Sequence, residues 1–364
     1  MIKRWVIYSI LVYFLLINIP SFRLLSHCNQ ELSHSVSLPI TRLKVGIDYI
    51  VQGNYKGAQI YADTAFSSDK AAQHFLKLSA VYARMGELET EEGKSEFFQE
   101  AEWLITQCRN QIAQKPSDSA LRFYEAYTYA YRAVIHSKAG NFWSALKDAA
   151  AGKREFEMCT VLTPELKDVY LGIGVYMYWM SAMNIFRVLP FIADNRLKGI
   201  QAIESNLDST SLSYPLSLNQ LCWILIDYND LTRAEYYASK GLALYPRSRF
   251  FLYPAAVSAQ KQGKWQNAAA LYEQLRISLL RDSLSNRYFF VKVTVKYAET
   301  LTASGEYKKA YGLVVAIDKN PVIATEREKC KELYKKAKTI EKQCRNYIKN
   351  ESFTMRLDSG KKVQ

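Results

Sequence analysis

A six-residue phrase recurs along the chain and constrains its fold more than any other feature. Each copy begins with glycine or asparagine, has a bulky apolar residue two positions later, and has alanine three positions after that. The four glycine copies are Gly53, Tyr55 and Ala58; Gly140, Phe142 and Ala145; Gly263, Trp265 and Ala268; and Gly305, Tyr307 and Ala310. A looser copy has Asn229, Leu231 and Ala234.

The phrase predicts a tight turn between two helices. Glycine, or asparagine in its place, adopts the left-handed backbone conformation that commonly ends a helix. We expect the bulky residue to pack into the joint and the alanine to let the second helix approach the first closely. One copy would indicate only a generic helix turn, but repeated copies predict stacked helical hairpins.

The spacing of the copies indicates a known repeat length. Gly86 follows Gly53 by 33 residues, and Gly263 follows Asn229 by 34, close to the period of about 34 in tetratricopeptide repeats. The chain therefore resembles the tetratricopeptide repeat (TPR) family, which implies an all-α solenoid of stacked helical hairpins that binds protein partners. Residues 87–215 are irregular, and the 42 residues from Gly263 to Gly305 indicate an insertion.

Residues 168–200 form a distinct region. A glycine-containing apolar stretch with Gly172 and Gly174 precedes a Leu-Pro break at 189–190 and an Asp-x-Arg segment at 194–196. This arrangement resembles the middle of the tetratricopeptide repeat protein 39-like group, which implies another helical-repeat protein. We expect the two glycines to lie where another helix or its backbone approaches closely.

The same region supplies the candidate pocket residues. These are Tyr176, Tyr178, Trp179, Phe186, Asp194 and Arg196. The aromatic residues either line a groove or pocket, or fill a thick core between repeats. Asp194 and Arg196 form either a polar site or a structural ion pair with a helix cap.

The N-terminus predicts export or membrane attachment. Lys3 and Arg4 precede an apolar run at 5–19, which is typical of a signal peptide or of a short anchor. Cys28 lies in a segment that partly resembles a lipoprotein processing site, so retention, cleavage and lipidation all stay open, as does a buried N-terminal helix of the fold. The first three place the body outside the cytoplasm, in a bacterial periplasm or cell envelope.

The predicted organisation follows from these patterns. Residues 1–25 are the signal peptide or membrane anchor, 26–40 a flexible segment, 41–350 the TPR-like helical repeat domain, and 351–364 a basic C-terminal tail. Residues 289–295 are rich in β-branched side chains, but their flanks have helical periodicity and predict a helix.

Charge is concentrated near the C-terminus. The net charge is +13, and residues 324–364 carry twelve Lys or Arg against six Asp or Glu. We expect a charged helix there, with Leu333, Ala337 and Ile340 facing inward, to cap the array. Attraction to anionic lipid or to an acidic partner is the alternative. No nucleic-acid-binding motif is present, so we expect no nucleic-acid partner.

The sequence contains no recognisable catalytic motif. The sequence has no zinc-ligand spacing, phosphate loop, nucleophile elbow or Rossmann fingerprint. We therefore expect no enzyme activity, metal or cofactor. Four carboxylates at 87–92 are typical of a solvated connection. The disulfide status of the six cysteines stays open.

These observations predict a protein–protein interaction scaffold or assembly factor of the cell envelope. The partner would bind in a groove formed by the first helices of successive repeats, near 217–228, 251–262 and 290–303. The alternative is a small molecule or lipid held by the aromatic cluster around Trp179.

Overall fold

The computed structural model describes residues 38–183, 193–284, 287–319 and 322–360, without the side chains of residues 318 and 352–360. All of them belong to one compact unit, Ser37–Gln364. Within these ranges every regular element is a helix. The predicted signal or anchor at 1–25, Cys28 and Phe186 lie outside the described residues. Among the helices that are described, none is both long enough and apolar enough to cross a membrane.

Within the described ranges, the helices form seven pairs and a terminal helix. The first helices of the pairs are α1 (Ile40–Val51), α3 (Lys70–Leu88), α5 (Ser119–Lys138), α7 (Val169–Ala182), α9 (Tyr214–Tyr228), α11 (Arg249–Lys261) and α13 (Tyr288–Ala303). The second helices are α2 (Tyr55–Ala65), α4 (Lys94–Gln114), α6 (Phe142–Leu162), α8 (Arg196–Glu204), α10 (Leu231–Leu244), α12 (Trp265–Arg281) and α14 (Tyr307–Lys319). A 3₁₀ turn, Ala324–Glu326, precedes α15 (Arg327–Gly360). The described part of the chain is therefore an all-helical repeat array, and the predicted helix at 289–295 is confirmed.

Five of the pairs are joined at the recurring phrase. Gly53, Gly140, Gly263 and Gly305 have φ of +78°, +77°, +71° and +86°, and Asn229 has φ of +66°. These left-handed residues let the chain reverse directly after the first helix. Gly86 differs from the expectation, because it lies inside α3 and the helix continues to Leu88.

The alanines of the phrase lie in the core. All five are buried, so the second helix approaches the first closely at each joint. The bulky residue is partly buried in four copies, but Phe142 is 57% exposed and does not pack into its joint. In that pair α5 and α6 approach closely at Gly152, where an added Cβ would lie 3.0 Å from the carbonyl oxygen of Ala126.

The first helices form an inner row. Contacts run from α1 to α3, α5, α7, α9 and α11 in turn. On α5, every residue from Ser119 to Tyr129 is buried except Arg122. A helix that is buried around most of its circumference has neighbours on all sides, so the inner row is covered on more than one face.

The terminal helix covers the end of the array. α15 packs against α13 and α14, and Ala337 and Ile340 are buried while Leu333 is partly buried. The predicted inward stripe is confirmed. Most polar side chains at 327–350 are exposed, as the end of a repeat array requires.

Candidate functional site

The helices predicted to line an open groove are core helices. On α9, Asn219, Cys222, Ile224 and Leu225 are buried, and at about 100° per residue these positions span more than half of its circumference. Each predicted helix also keeps a row of side chains that is not buried, such as Gln220, Trp223 and Asp227 on α9. The groove at 217–228, 251–262 and 290–303 therefore stays a prediction, and distant helices contact part of this row.

One set of covering contacts comes from α1. Tyr245 donates its hydroxyl hydrogen to Asp48 at 2.5 Å, and Lys44 donates to the carbonyl oxygen of Ser209 at 3.1 Å. A cavity of only about 10 Å³ lies where Ile47 of α1 and Leu216 of α9 meet side chains of α3 and α5. That volume is at the limit for one water molecule, so the interior between these helices is filled.

A second set comes from residues 87–93, which are the last two residues of α3 and its connection to α4, and which we call the acidic turn. Glu87 pairs with Arg249 of α11 at 2.7 Å, and Glu89 pairs with Lys292 of α13 at 2.6 Å. Leu88 is buried in the apolar core of α11–α15. Residues 87–89 of the acidic turn are therefore seated on the C-terminal helices, whereas Glu91 and Glu92 are exposed, as the sequence indicates for a solvated connection.

Electrostatics hold the acidic turn in place. The side chains of Glu87 and Arg249 are 5% and 9% exposed. Burial alone would lower the pKa of Arg249, but Glu87 and Asp282 raise it above its usual range. Burial and the nearby Glu87 raise the pKa of Tyr55 in the same cluster. Each of these charges has an opposite charge beside it, so the cluster is a structural contact.

The aromatic cluster predicted around Trp179 rests on a close crossing of two helices. A Cβ added to Gly174 of α7 would lie 2.6 Å from the carbonyl oxygen of Gly199 on α8. A Cβ added to Gly172 would lie 2.2 Å from the ring of Phe156. The expected close approach at both α7 glycines is confirmed, and it fixes the position of the following turn of α7.

Tyr178 is the buried member of the aromatic cluster. Its hydroxyl donates to Asp227 of α9 at 2.6 Å, and its ring centre lies 5.1 Å from Trp179 and 6.4 Å from Tyr228. Burial and the hydrogen bond to Asp227 raise the pKa of Tyr178, so the hydroxyl stays protonated as the donor. The bond ties the C-terminal end of α7 to that of α9.

Arg196 and Asp194 form an ion pair next to the aromatic cluster. Nε and Nη2 of Arg196 contact Asp194 at 3.0 and 2.7 Å, and the backbone N–H of Arg196 donates to the same carboxylate at 3.0 Å. Asp194 thus pairs with the guanidinium and also binds the first N–H of α8, and its hydrogen bonds raise the pKa of Arg196. The guanidinium carbon lies 5.5 Å from the ring centre of Tyr228.

The structure therefore groups some predicted residues and separates others. Trp179 and Tyr228 are 39% and 36% exposed, and with Arg196 they form what we call the Trp179 surface. Tyr176 points elsewhere, with Lys153 of α6 5.9 Å from its ring centre. The sequence missed Tyr228, although it directly precedes the turn residue at 229.

Metal ligands and thiols are the remaining groups with chemical potential among the described residues. These residues contain no cluster of three His, Cys, Asp or Glu side chains that could hold a metal ion. The five cysteines in the described ranges are buried free thiols: Cys108, Cys159, Cys222, Cys330 and Cys344.

Comparison with known proteins adds little to this geometry. No protein-family model matches the sequence, and no curated protein matches it. Among solved structures, the chain is similar to PilW, described as a widely conserved type IV pilus biogenesis factor, with 12% identity and a TM-score of 0.39. The similarity covers 77% of this chain and 92% of that one. A likeness this weak carries no inference, so the fold assignment depends on the helix pairs themselves.

Proposed function

We propose that this protein is an interaction scaffold or assembly factor of the cell envelope, and that its partner protein binds at the Trp179 surface. The observation that carries the proposal is the exposure of Trp179, which lies beside the buried Tyr178, and of Tyr228, which lies beside Arg196. Trp, Tyr and Arg are the residue types that most often dominate the energy of protein interfaces.

The surface is already ordered for binding. Tyr178 is held by Asp227, and Arg196 by Asp194. Side chains that are fixed before association lose less conformational entropy when the partner binds. The flat faces of the guanidinium and the two aromatic rings suit a partner with its own apolar or aromatic anchor.

The recurring phrase, the paired helices and the buried alanines support a TPR-like array as the scaffold. The N-terminal segment at 1–25 would retain the protein at the membrane or direct its export. It would stay attached to the body, be cleaved from it, or be cleaved with lipidation of Cys28. In each case the repeat domain would meet its partner outside the cytoplasm.

A crosslinked pull-down of full-length protein from native membranes, read by mass spectrometry, tests the proposal. We expect one reproducible protein partner with the wild type, and its loss with Trp179→Ala. Trp143→Ala is the matched control, because Trp143 is 63% exposed on α6 and lies outside the Trp179 surface. Circular dichroism melting curves establish that both variants fold.

Two outcomes would contradict the proposal. Equal recovery of the partner with Trp179→Ala and wild type would place the interface elsewhere. Absence of any partner, together with a thermal stabilisation by extracted lipid or metabolite that Trp179→Ala abolishes, would favour a ligand-binding protein.

A further inference from the structure

A second site lies in the C-terminal half of the array, between α12, α13 and α14. A cavity of about 120 Å³ opens there. Leu280 of α12 is partly exposed at this site. Six other residues contribute to the lining: Arg276, Phe290, Thr294, Leu313, Ala316 and Ile317. The walls are therefore largely apolar, with one cationic group among them.

Arg276 is the unusual member of this lining. Its Nε is buried and has no hydrogen-bond partner. None of the ion pairs among the described residues includes Arg276, and Glu273, one turn earlier on α12, pairs with Lys309 at 3.2 Å. The guanidinium carbon lies 5.3 Å from the ring centre of Phe290, so one face of the cation is covered by an apolar ring.

The charge balance of the cavity favours an anion. Burial lowers the pKa of Arg276, and Tyr297 and Glu273 only partly oppose this effect. Guanidinium groups nevertheless stay protonated in proteins. A buried N–H without an acceptor is unfavourable, and a carboxylate offers two oxygens in the spacing that matches adjacent guanidinium nitrogens.

We propose that this cavity binds a small monocarboxylic acid with a branched or cyclic apolar body, and that Nε and a terminal nitrogen of Arg276 hold its carboxylate. The size sets the limit on the body, because a cavity of about 150 Å³ accepts benzene. A cavity of about 120 Å³ therefore suits a branched chain or a ring of about five or six carbons. Thr294 already donates its hydroxyl to the carbonyl oxygen of Phe290 at 2.8 Å, so recognition of the acid falls to Arg276.

Isothermal titration calorimetry of the full-length protein in a neutral detergent tests the proposal. The probes are 4-methylpentanoate and its uncharged analogue, 4-methylpentanamide. We expect the acid to bind and the amide to bind at least about tenfold more weakly, because the amide loses the charge-assisted hydrogen bonds. Benzoate serves as a cyclic probe of similar size.

Three variants locate the binding site. Arg276→Gln should abolish the preference for the acid over the amide. Leu313→Trp should remove binding of both probes by filling the cavity while leaving the cation in place. Arg281→Gln is the control on the same helix, because Arg281 is exposed and should leave both affinities unchanged.

The proposal fails if the acid and the amide bind equally, or if Arg276→Gln binds the acid as the wild type does. It also fails if neither acid binds at concentrations up to about 10 mM, since a ligand of this size in a matched cavity should reach that affinity. The cavity shares no residue with the Trp179 surface. Failure of the ligand proposal would therefore not affect the proposal that a partner binds at the Trp179 surface.

Discussion

Arg249 provides a quantitative test of the seated acidic turn. Its guanidinium lies 2.7 Å from Glu87, and the two side chains are 9% and 5% exposed. Arg249→Met would leave Glu87 buried without its cation, and removing one partner of a buried pair costs about 3–5 kcal/mol. Glu87→Gln should cost less, about 1–3 kcal/mol, because Asp282 still pairs with Arg249 on its other side.

The double variant separates the direct interaction from other effects. Once Arg249→Met has removed the cation, Glu87→Gln removes an uncompensated buried charge, so the combined cost should be smaller than the sum of the single costs. Urea unfolding of the full-length protein, followed by circular dichroism, measures each change in the free energy of unfolding. Simple additivity of the two costs would refute direct contact between these charges.

Arg84→Met is the control for this series. Arg84 pairs with Glu92 in the same connection at 2.7 Å, but both side chains are exposed, and exposed pairs contribute about 0–1 kcal/mol. If Arg249→Met destabilises the protein no more than Arg84→Met does, the acidic turn is not seated on the C-terminal helices.

Three further predictions concern backbone and thiols. Gly53 and Gly140 have φ of +78° and +77°, so replacement of either by alanine should cost about 1–2 kcal/mol. Gly53→Ala should cost more, because its Cβ would lie 3.0 Å from a guanidinium nitrogen, whereas open space surrounds Gly140; equal urea midpoints would contradict this. Gly174→Ala would place Cβ 2.6 Å from a backbone oxygen of α8 and should destabilise the protein by about 3 kcal/mol. Gly86→Ala lies inside α3 with nothing within 4 Å of the added Cβ and should stabilise the protein by about 0.5–1 kcal/mol. If calorimetry gives Gly174→Ala the higher melting temperature of the two, the helix-crossing argument is refuted. Burial raises the pKa of all five described thiols, so iodoacetamide at pH 8 should modify them only after unfolding, and rapid labelling of any of them in the native protein, read by mass spectrometry, would contradict their burial.

The repeat turns were predictable because their chemistry is local. The turn needs a glycine or asparagine at positive φ and an alanine five residues later, so all of its signal lies within six positions. Gly86 misled the assignment because the helix boundary there depends on distant partners. α3 continues to Leu88, whose side chain enters the core of the C-terminal helices, and Glu89 makes the turn at φ of +49°.

The candidate site was only partly predictable. Trp179 and Arg196 stand out in the sequence by residue type, but the link from Tyr178 to Asp227 spans 49 positions and has no local signature. The burial of α9 is indicated by its sequence, which is apolar around most of the helix circumference. A helix of that kind is usually enclosed on most of its sides.

The contacts of the acidic turn distinguish this repeat array from an open solenoid. In an open array each unit interacts only with its neighbours, so units can be removed from an end or added to it at modest cost. Here Glu87 and Glu89 contact residues 162 and 203 positions away. The number of repeats is therefore fixed by the fit between early and late helices, and the protein should lose structure as a whole when it is truncated from either side.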